Sequence, residues 1–283
     1  MRALLKAAGL LLALALLPAP ASAQDVGLSS TLANIKRTHT VRLGYREASP
    51  PFSFLDQANR PIGYSLELCE AIVEEIGTEV DDANLKIDYV KVTPETRIPA
   101  VIDNKIDLEC GSTTANAERA KRVAFSPLIY VAGTKLMVPK AAPVTGIVDL
   151  KGKTIVVTKG TTNEQAIAAA DKKYALGLTI MAADDHEQSY QMVADGKAQD
   201  KFKVVGDYLS YDPYGIMFRK GEPQLTAVVE RTFRKLATNH DLLPLYQKWF
   251  MARLPTGERL GVPISLQLEE AFKALDDSPQ GTN

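Results

Sequence analysis

Short strand-like runs alternate with amphipathic helical runs along residues 40–250, and a strand–turn–helix corner occurs twice, so the sequence predicts an α/β fold of two lobes. The first corner is Ile106-Asp107-Leu108, then Glu109-Cys110-Gly111-Ser112-Thr113-Thr114, then a polar helical segment from Ala115 to Arg122. The second is Lys153-Thr154-Ile155-Val156-Val157-Thr158, the turn Lys159-Gly160-Thr161-Thr162 and a helix from Asn163 to Ala170. A helix that starts behind glycine and hydroxyl residues aims free N–H groups and partial positive charge at one spot, which suits a small anion.

At the start of the chain, Arg2 and Lys6 flank the apolar run Ala7 to Leu17, Pro18-Ala19-Pro20 breaks it, and Ala21-Ser22-Ala23 follows. This is the pattern of a secretory signal peptide over residues 1–23, cleaved before Gln24. Its apolar core is well short of the ~20 residues that span a bilayer. The remainder, residues 24–283, is expected to be exported and soluble in a bacterial periplasm, with no lipobox cysteine behind the signal. At 46% hydrophobic and 24% charged residues a packed core is expected. Removing Arg2 and Lys6 takes the 33 Lys+Arg to 31 against 34 Asp+Glu, a net charge of −3, and no basic block stands out, which argues against nucleic acid as a partner. Cys69 and Cys110 in an oxidising compartment are compatible with one disulfide, provided their Cα atoms lie close enough.

Along the chain, Ser29 to Thr38 reads as a short amphipathic helix and Thr40 to Tyr45 as a first strand. Phe52 to Leu55 with Asp56 to Pro61 predicts a hairpin-like excursion, and Tyr64 to Ile76 a helix with Leu66, Cys69, Ile72, Val73 and Ile76 on one face. Leu85 to Val92 is a strand. Thr93 caps a helix that carries Pro94 in its first position and runs on through Arg97 to Asp103. Lys135 to Val138 and Leu178 to Met181 read as strands of the second lobe, and Glu187 to Ala194 as a helix. Tyr214 to Phe218 is a returning strand, and Pro223 to Thr238 and Leu242 to Phe250 are amphipathic helices. Tyr45 and Phe52 are candidates either for a cleft wall or for the core.

Arg46-Glu47, Pro51-Phe52-Ser53-Phe54, Gly63-Tyr64-Ser65, Arg97-Ile98-Pro99, Glu109 to Thr114, Glu118-Arg119, Phe125-Ser126, Lys159 to Thr162, Asp185-His186 and Lys248-Trp249-Phe250 occur in that order. Together they resemble the periplasmic solute-binding proteins of polar amino-acid ABC transporters (family 3), in particular the glutamate/aspartate-binding branch. The resemblance implies a type II periplasmic-binding-protein fold, with two lobes joined by two crossing strands. Residues 28–127 and 214–283 would form lobe 1 and residues 128–213 lobe 2. It also implies a monomer without cofactor or metal that delivers an amino acid to an inner-membrane ABC permease. Arg97 would grip the α-carboxylate with Ser112, Thr114, Thr161 and Thr162, and Arg46 the side-chain carboxylate, with His186 assisting.

Two departures from the family pattern stand out. Pro94 replaces a serine that usually helps to hold the side-chain carboxylate. Around residues 195–203 the second lobe is shortened: an apolar strand ending in the aspartate that receives the α-ammonium, and the helix after it, are missing, leaving Asp200 as a substitute. Two alternatives follow. One is a periplasmic enzyme resembling cyclohexadienyl dehydratases, with His186 and Glu109 as candidate acid/base groups. The other is a sensory or degenerate binding protein.

Overall fold

The computed structural model describes residues 28–194 and 201–277, so the signal segment and Asp200 lie outside the described residues. Helix α1 (Ser30–Thr38) leads into β1 (Thr40–Tyr45). Three short strands, β2 (Ala48–Ser49), β3 (Ser53–Leu55) and β4 (Pro61–Ile62), form a small antiparallel sheet before α2 (Tyr64–Val80). Next come β5 (Lys86–Lys91), α3 (Arg97–Ile102), β6 (Leu108–Glu109), α4 (Ala117–Ala120) and β7 (Val123–Phe125). Strand β8 (Tyr130–Ala132) carries the chain into the second lobe, made of β9 (Leu136–Pro139), β10 (Thr154–Thr158), α5 (Thr162–Tyr174), β11 (Thr179–Ala183), α6 (His186–Ala194) and β12 (Phe202–Val205). The chain returns through β13 (Asp212–Tyr214), which pairs antiparallel with β8 and completes a two-stranded hinge. It closes with β14 (Met217–Arg219), α7 (Pro223–Thr238), α8 (Leu242–Phe250) and α9 (Leu266–Asp276).

The first lobe is a five-stranded sheet in the order β5-β1-β6-β14-β7, parallel through β5, β1 and β6 and antiparallel at β14. Leu225, Val228, Val229, Thr232 and Phe233 recur at helical spacing and bury one face of α7. Each large apolar side chain removed from water there contributes roughly 1.5–3 kcal/mol. Two buried carboxylates fix the helices against each other. Glu222 accepts from Ser30 Oγ (2.7 Å), Thr31 Oγ1 (2.8 Å) and the Thr31 N–H (3.1 Å), which satisfies a free donor in the first turn of α1. Glu75 of α2 sits between Arg231 and Lys235 of α7. Phe52 belongs to the core: it is 8% exposed, with its ring centroid 5.0 Å from Tyr130, 5.3 Å from Tyr214 and 5.4 Å from Phe250.

Several expectations are corrected. The Thr93 cap is present, since its Oγ1 accepts from the Thr96 N–H (3.2 Å) and its carbonyl from the Arg97 N–H (3.0 Å), but Pro94 to Thr96 form only a capped turn and the regular helix α3 begins at Arg97. The helix expected from Ala115 to Arg122 is only the four-residue α4, capped by the Asn116 side chain, and Thr114 lies in an extended bridge to Tyr214. The strand expected from Tyr214 to Phe218 is divided into β13 and β14, which belong to different sheets.

The second lobe carries the consequence of the short segment. Among the described residues β9 pairs only with β12 and β10 only with β11, so its sheet stands as two separate pairs. The two edges have not closed on each other.

Cys69 of α2 is bonded to Cys110, with Cα atoms 6.2 Å apart and a sequence separation of 41. Cross-linking a loop of this size restricts the unfolded chain. The Cys69→Ser/Cys110→Ser protein should lose about 2–4 kcal/mol of unfolding free energy. Urea titration of residues 24–283 against this variant checks it, and equal midpoints would refute the expectation.

Candidate functional site

Strands β1 and β6 run parallel with Gly44 opposite Glu109, so the residues that follow them leave the same edge of the sheet. In parallel sheets that carboxyl edge is where ligands bind. Arg46 stands one residue beyond β1, and Gly111, Ser112, Thr113 and Thr114 follow β6. The Arg46 backbone N–H donates to Ser53 Oγ (2.8 Å), while its side chain is 1% exposed and neither terminal nitrogen, Nη1 or Nη2, has a hydrogen-bond partner. Gly111 is required beside it. A Cβ there would stand 2.4 Å from Glu109 Oε1 and 3.0 Å from Arg46 Cγ.

Arg97, first residue of α3, points into the same corner and is 2% exposed. Its Nη1 donates to Thr113 Oγ1 (2.6 Å) and to the Ser112 carbonyl (3.2 Å); Nε has no partner. The Thr113 hydroxyl in turn donates to Glu109 Oε2, whose Oε1 is also unpartnered. A third buried guanidinium, Arg119, joins the two corners: Nη1 donates to the Thr114 carbonyl and Nη2 to the Gly160 carbonyl, each at 3.1 Å.

The second corner is built by the start of α5. Thr161 caps that helix, accepting from the Glu164 N–H at 3.2 Å and donating to the Thr158 carbonyl at 2.7 Å. Glu164 reaches back to the Gly160 N–H (2.9 Å), closing a reciprocal capping arrangement. Gly160 has φ +69°, and a Cβ there would lie 2.9 Å from Glu95 Cα and from the Pro94 carbonyl oxygen, so the lobes touch backbone to backbone. Thr114 Oγ1 lies 3.1 Å from Thr162 Oγ1 across the same interface and donates to Asp212 Oδ1 at 3.3 Å. The His186 Nδ1 contacts Thr158 Oγ1 at 3.0 Å.

The local electrostatics are dominated by excluded water and positive charge. Burial, then the neighbouring Arg97 charge, pushes the Arg46 guanidinium down to about 10, and the same two causes push Arg119 down to about 10. Burial also lowers Arg97. His186 is driven from its ordinary 6.5 to about 4, first by burial and then by Arg46 and Arg97. The histidine is therefore neutral at pH 7, and the corner holds three guanidinium groups against the buried carboxylates Glu109 and Asp212.

The structure thus gathers Arg97 with Ser112, Thr114 with Thr162, and His186 within the field of Arg46 and Arg97. The Thr161 hydroxyl is committed to its own helix cap and to the Thr158 carbonyl. Sequence reading assigned no role to Arg119, Thr113, Thr158 or Asp212. The only local signal for Arg119 is Asn116 three residues earlier, whose side chain accepts from the Arg119 N–H and sets the short helix. Among the described residues no cluster of His, Cys, Asp and Glu could hold a metal ion.

Residues 41–252 match the family of bacterial extracellular solute-binding proteins, family 3. The chain is 37% identical to the L-glutamate/L-aspartate-binding protein of Pseudomonas aeruginosa, over 93% of each chain. It is 32% identical to the glutamate/aspartate import solute-binding protein of Escherichia coli, over 97% of each. Among solved structures, an ancestral arginine-binding protein bound to arginine superimposes with a TM-score of 0.67 at 27% identity, covering 75% of this chain and 98% of that one. The fold is that of the type II periplasmic amino-acid-binding proteins, with a second lobe whose sheet is split. On these matches and this architecture, the chain belongs to the bacterial extracellular solute-binding proteins of family 3.

Proposed function

We propose that this protein is the periplasmic binding component of an ABC importer for glutamate, aspartate or a related carboxylate, and that its lobes close on the ligand without turning it over. The observation that carries this reading is the Arg46 guanidinium, buried with both terminal nitrogens unpartnered beside the unpartnered Nε of Arg97. Burying such a donor without an acceptor costs several kcal/mol, and a carboxylate ligand supplies the acceptor. The names of the relatives from Pseudomonas aeruginosa and Escherichia coli point to the same ligand class.

In this reading residues 28–127 and 214–283 form lobe 1 and residues 128–213 form lobe 2. Arg97 holds the α-carboxylate with N–H and hydroxyl groups of Ser112, Thr114 and Thr162 and with the backbone N–H of Thr161, and Arg46 with His186 holds the side-chain carboxylate. Asp212, 3% exposed and hydrogen-bonded to Thr114, is the carboxylate placed to receive the α-ammonium in place of the family aspartate. Export through the cleaved signal segment delivers the protein as a monomer to its inner-membrane permease.

Calorimetric titration of residues 24–283 with L-glutamate, L-aspartate, L-glutamine and glutarate tests this, with roughly micromolar affinity expected for at least one acidic amino acid. Silence for all four from a folded protein would defeat the reading. Arg97→Ala should weaken every ligand at least about 100-fold, given roughly 1.5–3 kcal/mol for each charge-assisted hydrogen bond. Arg46→Ala should instead reduce glutamate binding with little change for glutamine. Asp212→Asn should weaken L-glutamate more than glutarate, and equal losses would remove Asp212 from this role.

His186 makes stability depend on pH. Its folded value of about 4 lies below the ordinary 6.5, so between these limits the unfolded chain binds more protons. Stability is full above about 6.5 and falls as pH drops towards 4. His186→Gln should flatten that part of the melting-temperature profile, as followed by circular dichroism from pH 7 to pH 4; parallel profiles would refute the assignment.

A further inference from the structure

The split sheet of the second lobe encloses a cavity of about 660 Å³, within the ordinary range for ligand pockets. One wall is the whole of β9, Leu136 to Pro139, and the other the whole of β10, Thr154 to Thr158. A strand seen from its face presents every second residue, so walls of consecutive residues are strand edges. Each edge is unused: among the described residues β9 is bonded only to β12, and β10 only to β11. Outward N–H and C=O groups on both sides call for partners that alternate donor and acceptor, which a peptide backbone supplies and an alkyl chain does not.

The two edges also agree on a direction. β10 runs towards Thr158, which meets His186 at the arginine corner. β9 starts beyond Thr134, whose hydroxyl donates to Asn163 Oδ1 (3.2 Å) near the same corner, and runs away from it. One strand laid parallel to β10 is therefore antiparallel to β9, a direction that suits both edges, and its carboxyl end emerges at His186 within the field of Arg46 and Arg97. The floor is apolar, with Val157 and Ile167 buried, while Met137, Met181 and Met192 line the opening and are each over a third exposed. Flexible thioethers of this kind adapt to varied side chains. Among the described residues the charged groups along the cavity are Lys135 and Lys153, and no acidic one lines it.

We propose that this slot is a second binding site, which takes an extended peptide of four or five residues with apolar side chains on alternate positions and a free terminal carboxylate, completing the sheet between β9 and β10. The mode is strand addition, in which main-chain hydrogen bonds give affinity and alternate side chains give selectivity. Lys153, at the end far from the corner, disfavours a charged amino terminus, so the occupant is the carboxyl-terminal piece of a longer chain or a blocked peptide.

The test is calorimetry of residues 24–283 with the probe acetyl-Thr-Val-Thr-Val-Ala, its carboxamide, the same peptide N-methylated at the central threonine, octanoate and L-glutamate, with amide exchange followed in β9 and β10. The acid peptide should bind, both modified peptides should bind at least tenfold more weakly, and exchange in β9 and β10 should slow. Glutamate binding with no response to any peptide would overturn the peptide site and leave the amino-acid reading intact. Octanoate binding as tightly as the peptide, with no penalty for N-methylation, would also overturn it. Peptide binding of the expected pattern with glutamate silent would support the slot and count against the amino-acid reading, and silence throughout would overturn both.

Discussion

Arg46, Arg97 and Arg119 are buried within one corner of the molecule, and much of the surrounding structure accommodates their charge. Gly111 removes a side chain that would collide with Glu109 and Arg46. Thr113 links Arg97 to Glu109, and Arg119 spends its donors on the carbonyls of Thr114 and Gly160, so the charge that holds the lobes in register lies next to the charge left for a ligand. Burial weakens the Arg46 and Arg119 guanidinium groups, yet each stays protonated at pH 7 even when lowered to about 10. Lysine would tolerate this corner less well, because a buried ammonium loses its proton more readily.

How legible this was in the sequence depends on which forces dominate locally. The limits of β1, α7 and α8 follow from the residues themselves, because strict alternation and helical spacing there agree with the tertiary packing. The Thr93 cap was legible and its bonds are present, but the turn it caps leads into a regular helix that starts only at Arg97, three residues beyond Pro94. That displacement puts Arg97 on the first residue of the helix, aimed inwards. Arg46 and Arg97 were legible from their positions after a strand and within the ordered motifs. Arg119 was not, since nothing local announces a guanidinium that folds back to bridge two carbonyls far apart in sequence. Asp212 was hidden for the same reason: its partner Thr114 is 98 residues away.

The missing strand is the other instructive case. Its absence could be read against the family pattern, but the physical response could not, because two exposed edges may either close up or stay apart. Here β9 and β10 stay apart, held by β12 and β11 on their far sides. The second lobe therefore keeps a small buried core around Leu136, Val138, Leu150, Val157 and Ile167, while methionines remain exposed at its opening. The first lobe shows no such deficit, since its five strands form one continuous sheet packed against α1, α2 and α3.

The disulfide has a bearing beyond stability. Cys110 immediately precedes Gly111, so the bond to Cys69 anchors the peptide segment that aligns Glu109, Thr113 and Thr114 with the arginines. Such bonds persist where thiols are oxidised and are rare in the reducing cytosol. A newly made chain inside the cell therefore has its ligand corner tethered on one side only, to β6. For a family of extracellular solute-binding proteins, this ties the final rigidity of the arginine corner to an oxidising compartment.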